Sequence, residues 1–325
     1  MTTEPVQTVA IIGASGRIGG AFAKALLQTG KHSVTALTRK GSNGVVPEGV
    51  NKVVVDYGDE STVVEALKGQ QFLIITLGVT APPDLHSKIA AAAGKAQVPY
   101  VMPNYYGYPL HTVTDTTDLY TKLSQERLQD VPRNGFSAQV IMACGFWYEW
   151  SLALGDEWFG FDIVRRKVTF IDDGKRTITA STWDQCGRAV AALLSLPQKT
   201  SDSSSPSLAD FTDNKGMLIE SFHVSQRDML DSLHRVLGTT DADWEIVHEA
   251  VDKRLKDGAE AMQRGDRRGF AKQLYGGVFN AANPISNYAG EANEVLGLPK
   301  EDLDEATRRA VDMANSGYNP FQSSQ

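Results

Sequence analysis

Residues 9–20 read VAIIGASGRIGG, an apolar run followed by glycines at 13, 16 and 19. Glycines so spaced have two uses: they permit a tight turn at positive φ, and they let the backbone approach a phosphate that a Cβ would obstruct. The triplet follows a strand-like run and opens a segment in which Ile18, Phe22 and Leu26 recur every four residues. That is the strand–turn–helix setting required of a dinucleotide fingerprint, with backbone amides after Gly13 facing a pyrophosphate at the positive end of the helix dipole. The next apolar run, SVTALT (33–38), ends in Arg39-Lys40 with no acid. An Asp or Glu there would hold the ribose 2′-hydroxyl of NAD, whereas Arg39 and Lys40, helped by Arg17, suit a 2′-phosphate. The expected cofactor is therefore NADP(H); a ligand-free turn and a solvated basic loop are the plain alternatives.

These groups need a scaffold, and the first half of the chain supplies one. Strand-like runs at 9–12, 33–38, 51–56, 72–78, 98–103 and 136–142 alternate with helical patterns at 16–30, 60–67, 85–97 and 116–130. Such alternation predicts a doubly wound parallel sheet, an α/β fold. FLIITLG (72–78) is nearly all apolar, as a central strand covered on both faces must be. The second half is less regular. KVTFID and RTITAS read as a hairpin around Asp173-Gly174, 182–196 as a helix with Asp184 capping its start, 198–210 as a surface loop, and Tyr275-Gly276-Gly277 as a Gly-rich bend in a mostly helical remainder. The expected organisation is a cofactor domain over 1–155, to which 180–197 returns, and a smaller, mostly helical substrate domain over 156–179 and 198–325.

Composition narrows the function classes. The 325 residues are 42% hydrophobic and 22% charged, which suits a globular protein with a substantial core. Lys and Arg number 32 against 39 Asp and Glu, a net charge of −7, which disfavours direct nucleic-acid binding. No apolar run nears the ~20 residues of a membrane span, and MTTEPVQTV carries no secretory pattern. Cys144 and Cys186 form no metal or redox motif, so no metal site is expected and a reducing, cytoplasmic setting fits.

Taken together, GASGRIGG, Thr38-Arg39, VVDYGDESTVVEALKGQQFLI (54–74), the helix carrying Lys122, TWDQCGRAV and GLPKEDLDEATRRAVDMANSGYNPF (297–321) resemble the NmrA-like proteins among the atypical short-chain dehydrogenases/reductases, in particular the fungal branch related to isoflavone reductase. The resemblance implies a Rossmann domain, NADPH, and a small substrate domain closing a cleft over the nicotinamide. Carried over by position, it implies that Gly13, Ser15, Gly16, Arg17 and Ile18 wrap the pyrophosphate and that Thr38, Arg39 and Lys40 take the 2′-phosphate. Asp56 and Tyr57 would border the adenine, and Thr76, Leu77 and Gly78 would lie under the nicotinamide ribose. Lys122 matches the active-site lysine of the reductases, where desolvation would tune it for proton exchange with substrate or its ammonium would hold the ribose hydroxyls.

The chain departs from that family where related reductases carry Pro-Ser-Glu-Phe-Gly. Here Pro103-Asn104-Tyr105-Tyr106-Gly107 stands instead, which replaces the Ser and Glu and makes Tyr105 a second candidate proton donor. Asn104, Tyr105 and Tyr106 become candidate substrate contacts. The aromatic segment Gly145-Phe146-Trp147-Tyr148-Glu149-Trp150 adds Phe146, against nicotinamide or substrate, and Trp150, against a flat apolar substrate; core packing is the plain reading of most of these rings. The Y-x-x-x-K pair of the short-chain alcohol dehydrogenases is absent, since Asp118 stands four residues before Lys122. Three functions stay in play: an NADPH-dependent reductase of a small unsaturated, carbonyl or aromatic compound, as in secondary metabolism; an NADP-binding redox sensor acting on transcription through a regulatory protein partner; and a non-redox cyclase or isomerase using a pocket shaped by the cofactor. A homodimer is compatible with all three.

Overall fold

The computed structural model describes residues 4–78, 80–110, 119–202, 204–213, 215–266, 268–283 and 285–320, and of Leu119, Tyr120, Lys122 and Leu123 the backbone alone. Contacts divide the chain into two units, the first made of residues 1–143, 183–219 and 290–298, the second of 144–182, 220–289 and 299–325. Residues 198–219 and 290–298, expected with the substrate domain, thus group with the first unit, and residues 144–155 and 180–182, expected with the cofactor domain, group with the second.

In the first unit the chain runs β1 (Thr8–Ile12), α1 (Arg17–Gln28), β2 (Ser33–Arg39), β3 (Asn51–Val55), α2 (Glu60–Leu67), β4 (Phe72–Ile75), α3 (Leu85–Lys95), β5 (Tyr100–Met102), β6 (Tyr106–Gly107), α4 (Leu119–Leu128), α5 (Asp130–Arg133), β7 (Ala138–Gln139) and β8 (Met142–Ala143). It is rejoined later by α7 (Trp183–Leu194), β13 (Met217–Leu218) and α11 (Ala292–Val295). Six strands form one sheet in the order β3-β2-β1-β4-β5-β7, every pairing parallel. The order reverses between β1 and β4, and open α/β sheets bind ligands at that switch point. Phe72, Leu73, Ile74 and Ile75 are wholly buried, as a strand covered on both faces requires. Phe22 and Leu26 bury completely on the apolar stripe of α1, each contributing roughly 1.5–3 kcal/mol of transfer free energy. On that helix's flank α7 comes so close that a Cβ at Gly187 would lie 2.8 Å from the Ala21 carbonyl oxygen.

The apolar run 136–142 divides between two sheets, because β7 closes the large sheet whereas β8 sits between β6 and β13 in a small one. Of the surface loop expected over 198–210, residues 199, 201, 202 and 204–206 are exposed, but its end is a 3-10 turn, Leu208–Phe211, with Leu208 and Phe211 buried and Leu208 N–H donating to the Pro197 carbonyl.

In the second unit the elements are β9 (Phe146–Trp147), α6 (Tyr148–Ala153), β10 (Phe161–Asp162), β11 (Lys167–Ile171), β12 (Ile178–Ser181), β14 (Phe222–Val224), α8 (Gln226–Leu237), β15 (Glu245–Glu249), α9 (Val251–Gln263), α10 (Arg268–Phe279) and α12 (Leu303–Asn315). Three expectations from the second half of the sequence fail. β11 and β12 form no hairpin: β11 lies between β10 and β15, β12 between β14 and β9, so neither has an edge left for the other. Asp172 and Gly174, both at positive φ, turn the chain from one sheet to the next. Nor do Tyr275-Gly276-Gly277 break the chain, since α10 continues through them. Its glycines serve contact with α9 instead: a Cβ at Gly269 would sit 2.4 Å from the Gly258 carbonyl oxygen, and one at Gly276 would press on Leu255. Asp184 also is not a cap, because α7 already begins at Trp183.

Candidate active site

The glycine loop turns where a side chain would not fit. Gly13 has φ +84°, and a Cβ on it would lie 1.9 Å from the Thr76 carbonyl oxygen. A Cβ at Gly19 would meet the Gly13 carbonyl oxygen at 2.4 Å and Thr76 Oγ1 at 2.6 Å, so the third glycine seats α1 directly on β1 and the end of β4. Gly16 begins the helix, its N–H donating to the Gly13 carbonyl at 2.8 Å. Among the described residues α1 has no side-chain cap and no acid in its first turn. α2, α8 and α12 are capped by Asp59, Ser225 and Asp302, whereas α3, α6 and α9 also lack a side-chain cap, so what sets the start of α1 apart is the glycine loop in front of it. The positive end of the α1 dipole is therefore left for an external anion. Ser15, Gly16 and Arg17 are exposed there, while Ile18 turns into the core.

The guanidinium of Arg17 lies over the indole of Trp183, 5.6 Å from the ring centroid, at the start of α7. Close by in sequence, β2 ends at Arg39; Arg39 and Lys40 are exposed and form no ion pair among the described residues. They open a helix-free connection, 40–50, that leans back on the glycine loop: a Cβ at Gly44 would fall 2.4 Å from Ser15 Oγ. Thr38 turns its hydroxyl to the Val53 carbonyl at 3.4 Å. Past β3, Asp56 accepts the Gly58 N–H at 2.8 Å, and Tyr57 donates to the Leu37 carbonyl at 3.2 Å. Burial pushes the Tyr57 phenol up to about 12, which keeps it a neutral donor. Tyr57 and Gly58 wall a cavity of about 230 Å3, otherwise lined by Val63, Leu85, Ile89, Ala92 and the exposed Glu60 and Lys88. The uncapped helix start, the glycines without room for a Cβ and the unpaired basic turn fit the diphosphate and 2′-phosphate of NADP, and the Tyr57 cavity lies beside the turn expected to border its adenine.

At the carboxyl end of β4, Thr76 is buried with its hydroxyl donating to the Ile12 carbonyl at 2.7 Å, so it braces the glycines from below. Leu77 and Gly78 follow, half-buried and exposed. The side chain of Asn104 clamps Leu77 on both polar groups, Oδ1 accepting its N–H at 3.0 Å and Nδ2 donating to its carbonyl at 3.2 Å. Asn104 thus has a backbone to hold. Tyr105 is buried and donates to the Tyr108 carbonyl at 2.7 Å, and Tyr106 donates to the Ile75 carbonyl at 2.8 Å with its ring 5.5 Å from Phe22. A buried phenol already donating to a carbonyl is poorly placed as a proton donor to substrate, so the structure gives the Tyr105 alternative no support. Lys122 lies on α4, and its side chain is outside the described residues, as are residues 116–118 of the expected helix.

The remaining aromatic candidates belong to the second unit. Phe146, half-buried on β9, stacks on Tyr275 at 4.0 Å and 8°, with Phe159 edge-on at 5.9 Å. Trp150 stands edge-to-face with Trp147 and Trp158, both at 6.1 Å. Between them on α6, Glu149 is almost wholly buried and takes two N–H groups of Arg309 on Oε1, at 3.1 and 3.0 Å. Sequence reasoning missed Trp183, His86, Asn104's grip on Leu77 and Glu149; of these only the replacement at Asn104 was visible as a departure.

Residues 13–130 match the NAD(P)H-binding family model. The chain is 26% identical over 311 residues to the oxidoreductase aprR of Aspergillus flavus, spanning 91% of this chain and 96% of that one. Among solved structures, isoflavone reductase superposes with a TM-score of 0.73 at 18% identity, covering 94% of this chain and 99% of its own. Leucoanthocyanidin reductase of Vitis vinifera, solved as a binary complex with NADPH, gives a TM-score of 0.70 at 13% identity, covering 94% and 99%.

Proposed function

We propose that this chain, which resembles the NmrA-like, isoflavone reductase-like proteins, catalyses the NADPH-dependent reduction of a small unsaturated, carbonyl or aromatic compound of secondary metabolism. The observation that carries the NADPH half is the pairing of an uncapped helix start behind Gly13-Gly16-Gly19 with an acid-free, unpaired Arg39-Lys40 turn. When bound, NADPH supplies a hydride from C4 of its nicotinamide. In this reading Gly13, Ser15, Gly16, Arg17 and Ile18 hold the diphosphate, and Thr38, Arg39 and Lys40 hold the 2′-phosphate. Asp56 and Tyr57 border the adenine, with Thr76, Leu77 and Gly78 below the nicotinamide ribose. Lys122 delivers the proton that balances the hydride, to the substrate oxygen or carbon left with the electron pair, and Asn104, Tyr106, Phe146 and Trp150 contact substrate. A lysine suits that task because a desolvated ammonium approaches neutrality and gives its proton readily.

The test is loss of reduced-nicotinamide absorbance with NADPH and a panel of flat aromatic enones, quinones and benzylic ethers. Turnover that falls about a hundredfold or more in Lys122→Ala, the scale of a lost general acid, is the expected result. Tight NADPH binding with no consumption across the panel, and none with a metabolite extract, would overturn the reductase reading.

A further inference from the structure

Asn104 does not hold Leu77 unaided. Its own N–H donates to His86 Nε2 at 3.1 Å, so that nitrogen carries no proton and the ring hydrogen sits on Nδ1, where it is donated to Asp130 Oδ2 at 2.7 Å. His86 is 2% exposed on α3, and Asp130 starts α5, with Arg133 Nη1 3.6 Å from its other oxygen. Burial lowers the pKa of the ring against the pull of Asp130, which keeps the imidazole neutral and Nε2 an acceptor. Four segments of the first unit, α3, α5, the turn after β5 and the turn after β4, are therefore tied in one line of hydrogen bonds ending on the Leu77 peptide.

We infer that His86 and Asp130 are positioning residues of the cofactor site: they fix Asn104, and through it the Leu77 peptide, in the orientation that receives the nicotinamide ribose. The inference rests on the reading that Leu77 lies under that ribose. A neutral ring with fixed tautomer is suited to this, because Asn104 N–H and Asp130 demand an acceptor and a donor on opposite sides of one buried side chain. Water offers no such pair in so closed a place, and an unmet buried donor costs about 1–3 kcal/mol.

The experiment is calorimetric titration with NADPH and with adenosine 2′,5′-bisphosphate, which keeps the adenine and the 2′-phosphate but lacks the nicotinamide ribose. Four variants are compared with the unaltered protein: Asn104→Ala, Asn104→Ser, His86→Asn and His86→Gln. Glutamine reproduces Nε2 and asparagine reproduces Nδ1, so only the former can still receive the Asn104 N–H. The expected result is an NADPH affinity about tenfold weaker in Asn104→Ala, Asn104→Ser and His86→Asn, matching one lost net hydrogen bond. His86→Gln stays within about threefold of the unaltered protein, and the bisphosphate binds all four alike. Equal losses for both ligands, or a His86→Gln variant as weak as His86→Asn, would overturn the inference and leave the cofactor reading intact. Should Asn104→Ala not fold, Asn104→Ser carries the same comparison. Failure of the unaltered protein to bind either ligand would remove the cofactor reading itself.

Discussion

Glu149 offers a decisive contest between desolvation and ion pairing. Its carboxyl is 3% exposed; Oε1 receives both Arg309 contacts, while Oε2 is buried without a hydrogen-bond partner among the described residues. Burial, with Glu301 adding to it, pushes this carboxyl up to about 7 from an ordinary 4.5, against the opposing pull of its own backbone N–H and of Arg309. A pKa difference converts at about 1.4 kcal/mol per unit, so the ionised form is disfavoured in the folded protein by roughly 3 kcal/mol. The sign follows from the folded pKa lying above the unfolded one. The full stability is present below about pH 4.5, is lost as pH climbs towards 7, and stays lost above it. The assay is urea unfolding of the unaltered protein and of Glu149→Gln at intervals from pH 5 to pH 8, because other titrating groups cancel in the difference. The unaltered protein should lose roughly 2.5 kcal/mol relative to the variant across that window, the remainder falling below pH 5. A flat difference, or one that rises with pH, would refute the reasoning and show that Arg309 keeps the carboxylate charged.

Other expectations follow from the first unit. Arg39→Ala should weaken NADPH by about 1–3 kcal/mol and leave NADH nearly unchanged, read by calorimetry, since one charge-assisted contact to the 2′-phosphate is removed. Gly13→Ala should abolish cofactor binding and lower the melting temperature: the left-handed backbone alone costs about 1–2 kcal/mol, before the new Cβ meets the Thr76 carbonyl. Trp183→Ala should weaken NADPH by about 0.5–2 kcal/mol through loss of the platform under Arg17, and should have no further effect in an Arg17→Ala background.

The parallel sheet was legible because its signals are local. Alternating apolar runs, the four-residue recurrence of Ile18, Phe22 and Leu26, and glycines at a strand end each follow from nearest-neighbour geometry. The basic turn was legible for the same reason. What escaped depends on partners far apart in the chain. His86 stands at i, i+3, i+4 and i+7 with Ile89, Ala90 and Ala93, so its burial could have been read from the helix period, yet nothing nearby announces Asp130 or the Asn104 N–H it meets. The Asp173-Gly174 turn signal was sound as chemistry; the hairpin failed because the edges of β11 and β12 were claimed by strands as distant as β15 and β9. Gly276 misled for the opposite reason: a glycine in a helix marks a packing contact as readily as a break, and only the position of α9 decides which.

The closeness of Gly44 to Ser15 gives the β2–β3 connection a mechanical meaning. The segment that begins with Arg39 and Lys40 has no helix to stiffen it, and its footing is the same loop that turns at Gly13. A side chain added at position 44 would press on Ser15, so in the proposed reading a change remote from either cation would disturb the grip on both the diphosphate and the 2′-phosphate. In that reading, selectivity for a phosphorylated ribose depends on the footing of this segment as much as on the cations it carries.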